Sequence, residues 1–342
     1  MHVRKLPEMQ KNLSVEYCYH SENVSCVKEP RTPLTVVTLY FCASVAGMLT
    51  FYGNLVVIIS ISHFKQLHTP TNVLVLSLAV ADCMIGIIVM PIMVFQFIET
   101  CWYFGNTSCV IYSIALCCFT VTSIINMVLI AIDRNIAVCK PFIYSSKVTV
   151  RVASLAVGIV WLFAFTYSCS MFLFDGNLEG VIGLDPCPGD CVIMLTPSWN
   201  TTDLIISFIL PFSIIISLYG QIFVVAQRQA SAISAQQKIR HQQSKILNSI
   251  KSERKAAKTL GIVISVFLSC WLPFYTYTVI NQFFEFSLPL YLYTVLIWLT
   301  FMNSGMNPII YAFFYPWFRK SFRLLITLRI CKSSLIILLK DN

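Results

Sequence analysis

Seven apolar runs, each long enough to cross a bilayer, recur along this chain of 342 residues. A hydrocarbon core ~30 Å thick takes roughly 20 helical residues, and the runs fall near 34–62, 70–97, 107–138, 152–174, 199–227, 256–281 and 289–313. In lipid every backbone N–H and C=O must be satisfied within the protein, which leaves helices or closed barrels. Continuous apolar runs, without period-two alternation, select helices. The expected fold is an all-α membrane protein, a seven-transmembrane helix bundle over 34–313. A polar tail (1–33) precedes it, and a short amphipathic helix with a C-terminal tail (314–342) follows. A composition 57% hydrophobic and 11% charged agrees, since soluble globules carry about twice that charge.

Lysine and arginine orient the bundle, because cytoplasmic loops retain them. One side holds Lys65, Lys140, Lys147 and Arg151, the basic stretch 228–258 and the basic tail. The loops opposite carry only acids: Glu99, Asp175, Glu179, Asp185, Asp190 and Glu285. The N-terminus is therefore expected outside, and the net charge of +9 reads as topology, not as a nucleic-acid surface. Residues 1–33 lack the apolar core of a cleavable signal, so the first span is expected to direct its own insertion. Sequons begin at Asn12, Asn23, Asn106 and Asn200 on the outer side; Asn12 and Asn23, in the free tail, are the expected glycosylation sites. Most of the fourteen cysteines fall in the spans and read as small buried hydrophobes. Cys18, Cys26, Cys187 and Cys191 are extracellular and Cys109 sits at the outer end of the third span, where disulfides form but pairing is not readable from sequence. Cys331, after a basic amphipathic stretch, is a candidate for palmitoylation.

The spans carry "GNLVV" with Asn54, "LAVADC" with Asp82, "IDRN" with Asp133 and Arg134, Trp161, Pro211, "CWLPF" with Trp271 and Pro273, and "NPIIY" at 307–311. This set resembles the rhodopsin-like G-protein-coupled receptors over nearly the whole chain. More narrowly, "NSGMNPIIYAFFYPWF" at 303–318 resembles the seventh-helix fingerprint of the trace amine-associated receptors. The resemblance implies a plasma-membrane receptor for a small amine, coupled to a stimulatory or olfactory G protein that raises cyclic AMP. It implies a switch at Asp133 and Arg134, helped by Tyr219, Asn307, Pro308 and Tyr311, and an apolar relay of Ile124, Pro211 and Phe267. It also implies disulfides joining Cys109 to Cys191 and Cys18 to Cys187, with Cys26 competing for the second. The tyrosine usual after the arginine is Asn135 here, a departure that bears on basal activity.

A carboxylate mid-membrane is costly and marks function by default. Asp82, with Ser123, Asn303, Ser304 and Asn307, resembles the family's sodium site; the competing reading is a neutral acid in a structural hydrogen-bond network. No other cofactor is expected.

Amine receptors of this family anchor the ammonium on an aspartate seven residues after the third helix's outer cysteine, a position that is Leu116 here. Asp203 lies eight residues before Pro211, in the outer third of the fifth span, with Ser207 one turn below on the same face. An unpaired carboxylate there would be matched by a ligand cation, so the anchor is expected to have moved to the fifth helix, as in some members of the family. The competing reading has Asp203 capping that helix or reaching water. Trp271, Phe274, Tyr275, Trp298 and Phe301 offer aromatic faces to an ammonium. One pocket carboxylate favours a monoamine; a diamine would need Glu99, Glu285 or another loop acid. Other classes fare worse. A retinal protein needs a lysine that 289–313 lacks, a transporter would show repeats or broken helices, and no nucleophile stands near a base as in an enzyme. A receptor of the same fold with a non-amine ligand is the remaining alternative.

Overall fold

A computed structural model describes residues 16–19, 25–173, 189–191, 196–237, 244–284, 288–314, 318–319 and 322–323. Among the described residues seven long helices are present: α1 (Pro33–His63), α2 (Pro70–Glu99), α3 (Asn106–Cys139), α4 (Val150–Leu173), α5 (197–237), α6 (Ser244–Phe284) and α7 (Leu290–Phe314). Among the described residues there is no strand, only an isolated bridge between Tyr17 and Val27. Asn12, Asn23, Cys187, Glu285, Cys331 and the apolar end of the tail lie outside the described residues. Of the segment expected to form the amphipathic helix, Phe318, Arg319, Phe322 and Arg323 are helical, and Phe318 is buried.

Helix starts follow local chemistry. Thr32 and Thr69 each accept a backbone N–H three residues on and are each followed by proline, the first-turn arrangement that satisfies orphan donors. Two interior prolines leave a different mark. Pro91 and Pro211 supply no N–H to the preceding turn, and in each case that turn widens to π geometry, at Ile85–Val89 in α2 and Leu204–Ile209 in α5.

Side chains of α3 are buried along most of its length, which makes it the central post of the bundle. Val57, Ile61, Leu78, Ile124, Ile215 and Phe267 form the middle of the core. Polar ties fix helix pairs where lipid gives no hydrophobic drive between helices. Asn54 Nδ2 donates to the carbonyls of Thr50 and Ser304 at 2.9 and 3.1 Å, joining α1 to α7. Trp161 Nε1 donates to Ser77 Oγ at 3.0 Å, joining α4 to α2. A Cβ at Gly53 would come within 2.8 Å of Pro308, so the close approach of α1 to α7 at that point requires a residue without a side chain.

The outer rim corrects one expectation. Cys109 is bonded to Cys191, but Cys18 pairs with Cys101, not with Cys187. Cys101 escaped notice as one more cysteine near the end of an apolar run. In fact α2 stops at Glu99, and Thr100, at φ 58, turns the chain so that Cys101 faces the N-terminal tail. Cys26 is also disulfide-bonded. Peptide mapping of non-reduced protein should therefore recover residues 18 and 101 in one linked species. Recovery of residue 18 linked to 187 would contradict the observed rim.

Candidate functional site

Asp203 is the seventh residue of α5, whose N-cap is Thr196. It therefore caps nothing, and its carboxylate turns into the bundle. Ser207 Oγ donates to Oδ1 at 2.7 Å, Tyr167 OH from α4 to the same oxygen at 3.2 Å, and Tyr275 OH from α6 to Oδ2 at 3.4 Å. Three neutral hydroxyls from three helices thus converge on one acid. Only the serine bond lies within the ordinary range for O–H···O. Among the described residues no lysine, arginine or histidine pairs with Asp203. A carboxylate so placed loses much of its hydration, which weak neutral donors restore only in part.

Rings continue inward from the carboxylate. Phe208 stacks on Tyr275 at 4.5 Å, Tyr275 on Trp271 at 5.8 Å, and Trp271 lies 6.2 Å from Phe267. Phe212 closes the circuit against Phe267 and Phe208. Phe274 is half-buried beside Tyr275, and Ile124 and Pro211 are buried in the same core. Trp271 Nε1 is buried with no hydrogen-bond partner among the described residues.

The expected binding residues do not form one group. Leu116, Trp298 and Phe301 pack with Trp102, Cys109 and Tyr112 in a separate apolar cluster. Glu99, the last residue of α2, accepts from Tyr40 on α1 at 2.9 Å, so it faces α1 and not the Asp203 cluster. Tyr167 was missed, because a tyrosine in an apolar span carries no sign of which neighbouring helix it will meet.

Deeper in the membrane, Asp82 is completely buried and accepts from Ser123 Oγ at 2.8 Å and Asn307 Nδ2 at 2.7 Å. Asn303 and Ser304 are buried on the facing helix. An oxygen-rich set with one carboxylate has the chemistry of a hard-cation site.

On the cytoplasmic side Arg134 Nε donates to Asp133 Oδ2 at 2.9 Å. Thr71 Oγ1 donates to that same oxygen at 2.7 Å, and Arg134 Nη2 donates to Thr71 and, at 3.3 Å, to Tyr144. The guanidinium is thus held in place, though 25% of its side chain remains accessible. Pro308 and Tyr311 are buried and Tyr219 half-buried in the adjoining core. Asn135, where tyrosine was expected, is buried and donates from Nδ2 to the carbonyl of Leu218 at 3.0 Å and to Gln221 Oε1 at 3.3 Å. It fastens α3 to α5. Beside Arg134 the short helix Pro141–Lys147 presents Phe142 with 89% of its surface exposed.

The family model for 7 transmembrane receptors of the rhodopsin family matches residues 53–311. Trace amine-associated receptor 13c of Danio rerio is 41% identical over 318 residues, 92% of this chain and 93% of that protein. Trace amine-associated receptor 6 of Homo sapiens is 40% identical over 333 residues, 94% of each chain. Trace amine-associated receptor 9 of Mus musculus is 42% identical over 324 residues, 93% of each.

Proposed function

This chain belongs to the trace amine-associated receptors of the rhodopsin family, and on that premise we propose that its ligand is a small monoamine whose ammonium pairs with Asp203. As a member of that family it is a receptor and not an enzyme, a multi-pass protein of the plasma membrane with a ligand and a G protein as partners. The observation that carries the ligand reading is the acid held, among the described residues, by the hydroxyls of Tyr167, Ser207 and Tyr275. An ammonium supplies the charge that those hydroxyls lack, and the ring system behind Tyr275 receives the organic body. The buried N–H of Trp271 offers a donor to an acceptor on the ligand. One acid in this cluster, with Glu99 engaged by Tyr40, favours one amino group over two.

The route inward runs through the rings. The Tyr275 bond is the longest at the carboxylate, so an entering ammonium displaces it first. Tyr275 stacks on Trp271, and that ring leads to Phe267, so a shift of Tyr275 bears on the packing of α6 against α5. Binding drives activation only so far as the ligand prefers the active arrangement. The cytoplasmic consequence is release of Arg134 toward a stimulatory or olfactory G protein, with Phe142 as an apolar contact and cyclic AMP as the output. The tissue we infer is olfactory epithelium. Sodium at Asp82, Ser123, Asn303, Ser304 and Asn307 would hold the resting state.

The reading is tested by applying short amines and their alcohol analogues to cells expressing the receptor and following cyclic AMP. Amines should activate and the alcohols should not; equal activity of the alcohols would reject an ammonium anchor. Asn135 yields a separate prediction. Asn135→Leu removes both donors to α5 and leaves an apolar side chain between the helices, so basal cyclic AMP should rise severalfold at matched surface expression. An unchanged baseline would mean that the α3–α5 fastening does not restrain the resting state.

A further inference from the structure

Two sulfur atoms meet between α3 and α4, beside the acid of the candidate site. The thiol of Cys117 donates to Met171 Sδ at 3.8 Å. Met171 is 4% exposed and Cys117 half-buried, so the pair is set inside the bundle with the thiol still reachable. Ser168 is the other polar neighbour of that thiol, and the Asp203 carboxylate is close enough for its charge to act there. An S–H···S contact is a weak hydrogen bond, and apolar side chains would pack α3 on α4 as well. The chemistry that sulfur adds is ligation.

A thiol and a thioether are soft donors, and soft donors select copper(I). Zinc takes three or four ligands from Cys, His and carboxylates, and among the described residues no three of these gather. With metal–sulfur bonds of about 2.3 Å, sulfurs 3.8 Å apart subtend about 110° at an ion between them. That angle suits a three-coordinate ion, with the Ser168 hydroxyl or a water as the third donor. We propose that Cys117 and Met171 bind copper(I), and that the bound ion tunes the neighbouring amine anchor. On binding, the Cys117 S–H bond breaks and its proton passes to water, an S–Cu bond forms, and Met171 donates a lone pair; copper keeps its oxidation state. The ion replaces a proton, so the local charge is unchanged and the coupling runs through packing. Tyr167 lies one turn before Met171 on the same face of α4, and its hydroxyl donates to Asp203 Oδ1 at 3.2 Å. Fixing Met171 against α3 therefore fixes Tyr167 against the acid. This tuning rests on the reading of Asp203 as the amine anchor, whereas the copper site does not.

The test titrates the full receptor, in phosphatidylcholine nanodiscs and without amine, against a colorimetric copper(I) chelator under anaerobic conditions. Other free thiols of the chain take up copper too, so the deciding variant is Met171→Leu, which keeps every cysteine and nearly the same volume. The tightest site should weaken at least about tenfold in Met171→Leu, and Cys117→Ser should lose it. In the same nanodiscs, one equivalent of copper(I) should shift amine affinity about threefold or more in wild type and leave Met171→Leu unmoved. Equal copper affinity in wild type and Met171→Leu would assign the metal to stray thiols and overturn the site. Tight copper binding with amine affinity unmoved would overturn the tuning. Absence of any amine binding would overturn the reading of Asp203 and with it the tuning, and the copper site would stand on the titration alone.

Discussion

Asp203→Ala should raise the amine concentration for half-maximal cyclic AMP at least about 30-fold with surface expression unchanged. Losing one partner of a buried charge pair costs about 2–5 kcal/mol, and each 1.4 kcal/mol is tenfold. Folding should tolerate the change. Alanine deprives Tyr167, Ser207 and Tyr275 of an acceptor, but it also removes a desolvated charge with no cationic partner, and these effects oppose each other. Asp203→Asn keeps shape and an acceptor while losing charge, so it should fall close to alanine. Asp203→Glu keeps the charge but extends it by one methylene toward Tyr275 and should lose about tenfold. Wild-type potency in the alanine variant would move the search to the loop acids or to uncharged ligands.

Arg134→Ala should have the second-largest effect, at the opposite face. Coupling, read as nucleotide exchange on a purified G protein, should fall at least about tenfold, while amine affinity stays within a few-fold of wild type. Arg134 touches Asp133, Thr71 and Tyr144 but nothing in the Asp203 cluster, so the two readouts should separate. Asp133→Asn weakens the hold on the guanidinium and should raise basal exchange. A parallel loss of binding in Arg134→Ala would show general damage instead of a switch.

The bundle was legible because a bilayer demands long apolar runs and charge marks their ends. Helix ends were less so. α5 continues to Gln237 and α6 begins at Ser244, well past the apolar runs, because a helix that leaves lipid needs only backbone hydrogen bonds to go on. Asp203 stood out because a carboxylate within an apolar run is costly. Its partner Tyr167 did not, since the register of α4 against α5 is set by packing and not by local pattern. Thr71 and Tyr144 around Arg134 were hidden for the same reason. Cys101 was lost through a turn at Thr100 that hydropathy does not register. Of the motif residues, those that meet within one helix or by a strong charge were readable, whereas Leu116, placed by its count from Cys109, and Trp298 and Phe301, named for their aromatic faces, pack in another apolar cluster.

The central claim, that the ligand's ammonium is read by the charge of Asp203, is tested most directly by a double-mutant cycle on ligand and receptor. Affinities of an active amine and its uncharged isostere, with the amino group replaced by hydroxyl, would be measured on wild type and Asp203→Asn. Wild type should prefer the amine at least about 100-fold, and that preference should collapse to within a few-fold in the variant. A preference for the amine that survives in Asp203→Asn would place the ammonium elsewhere and contradict the account.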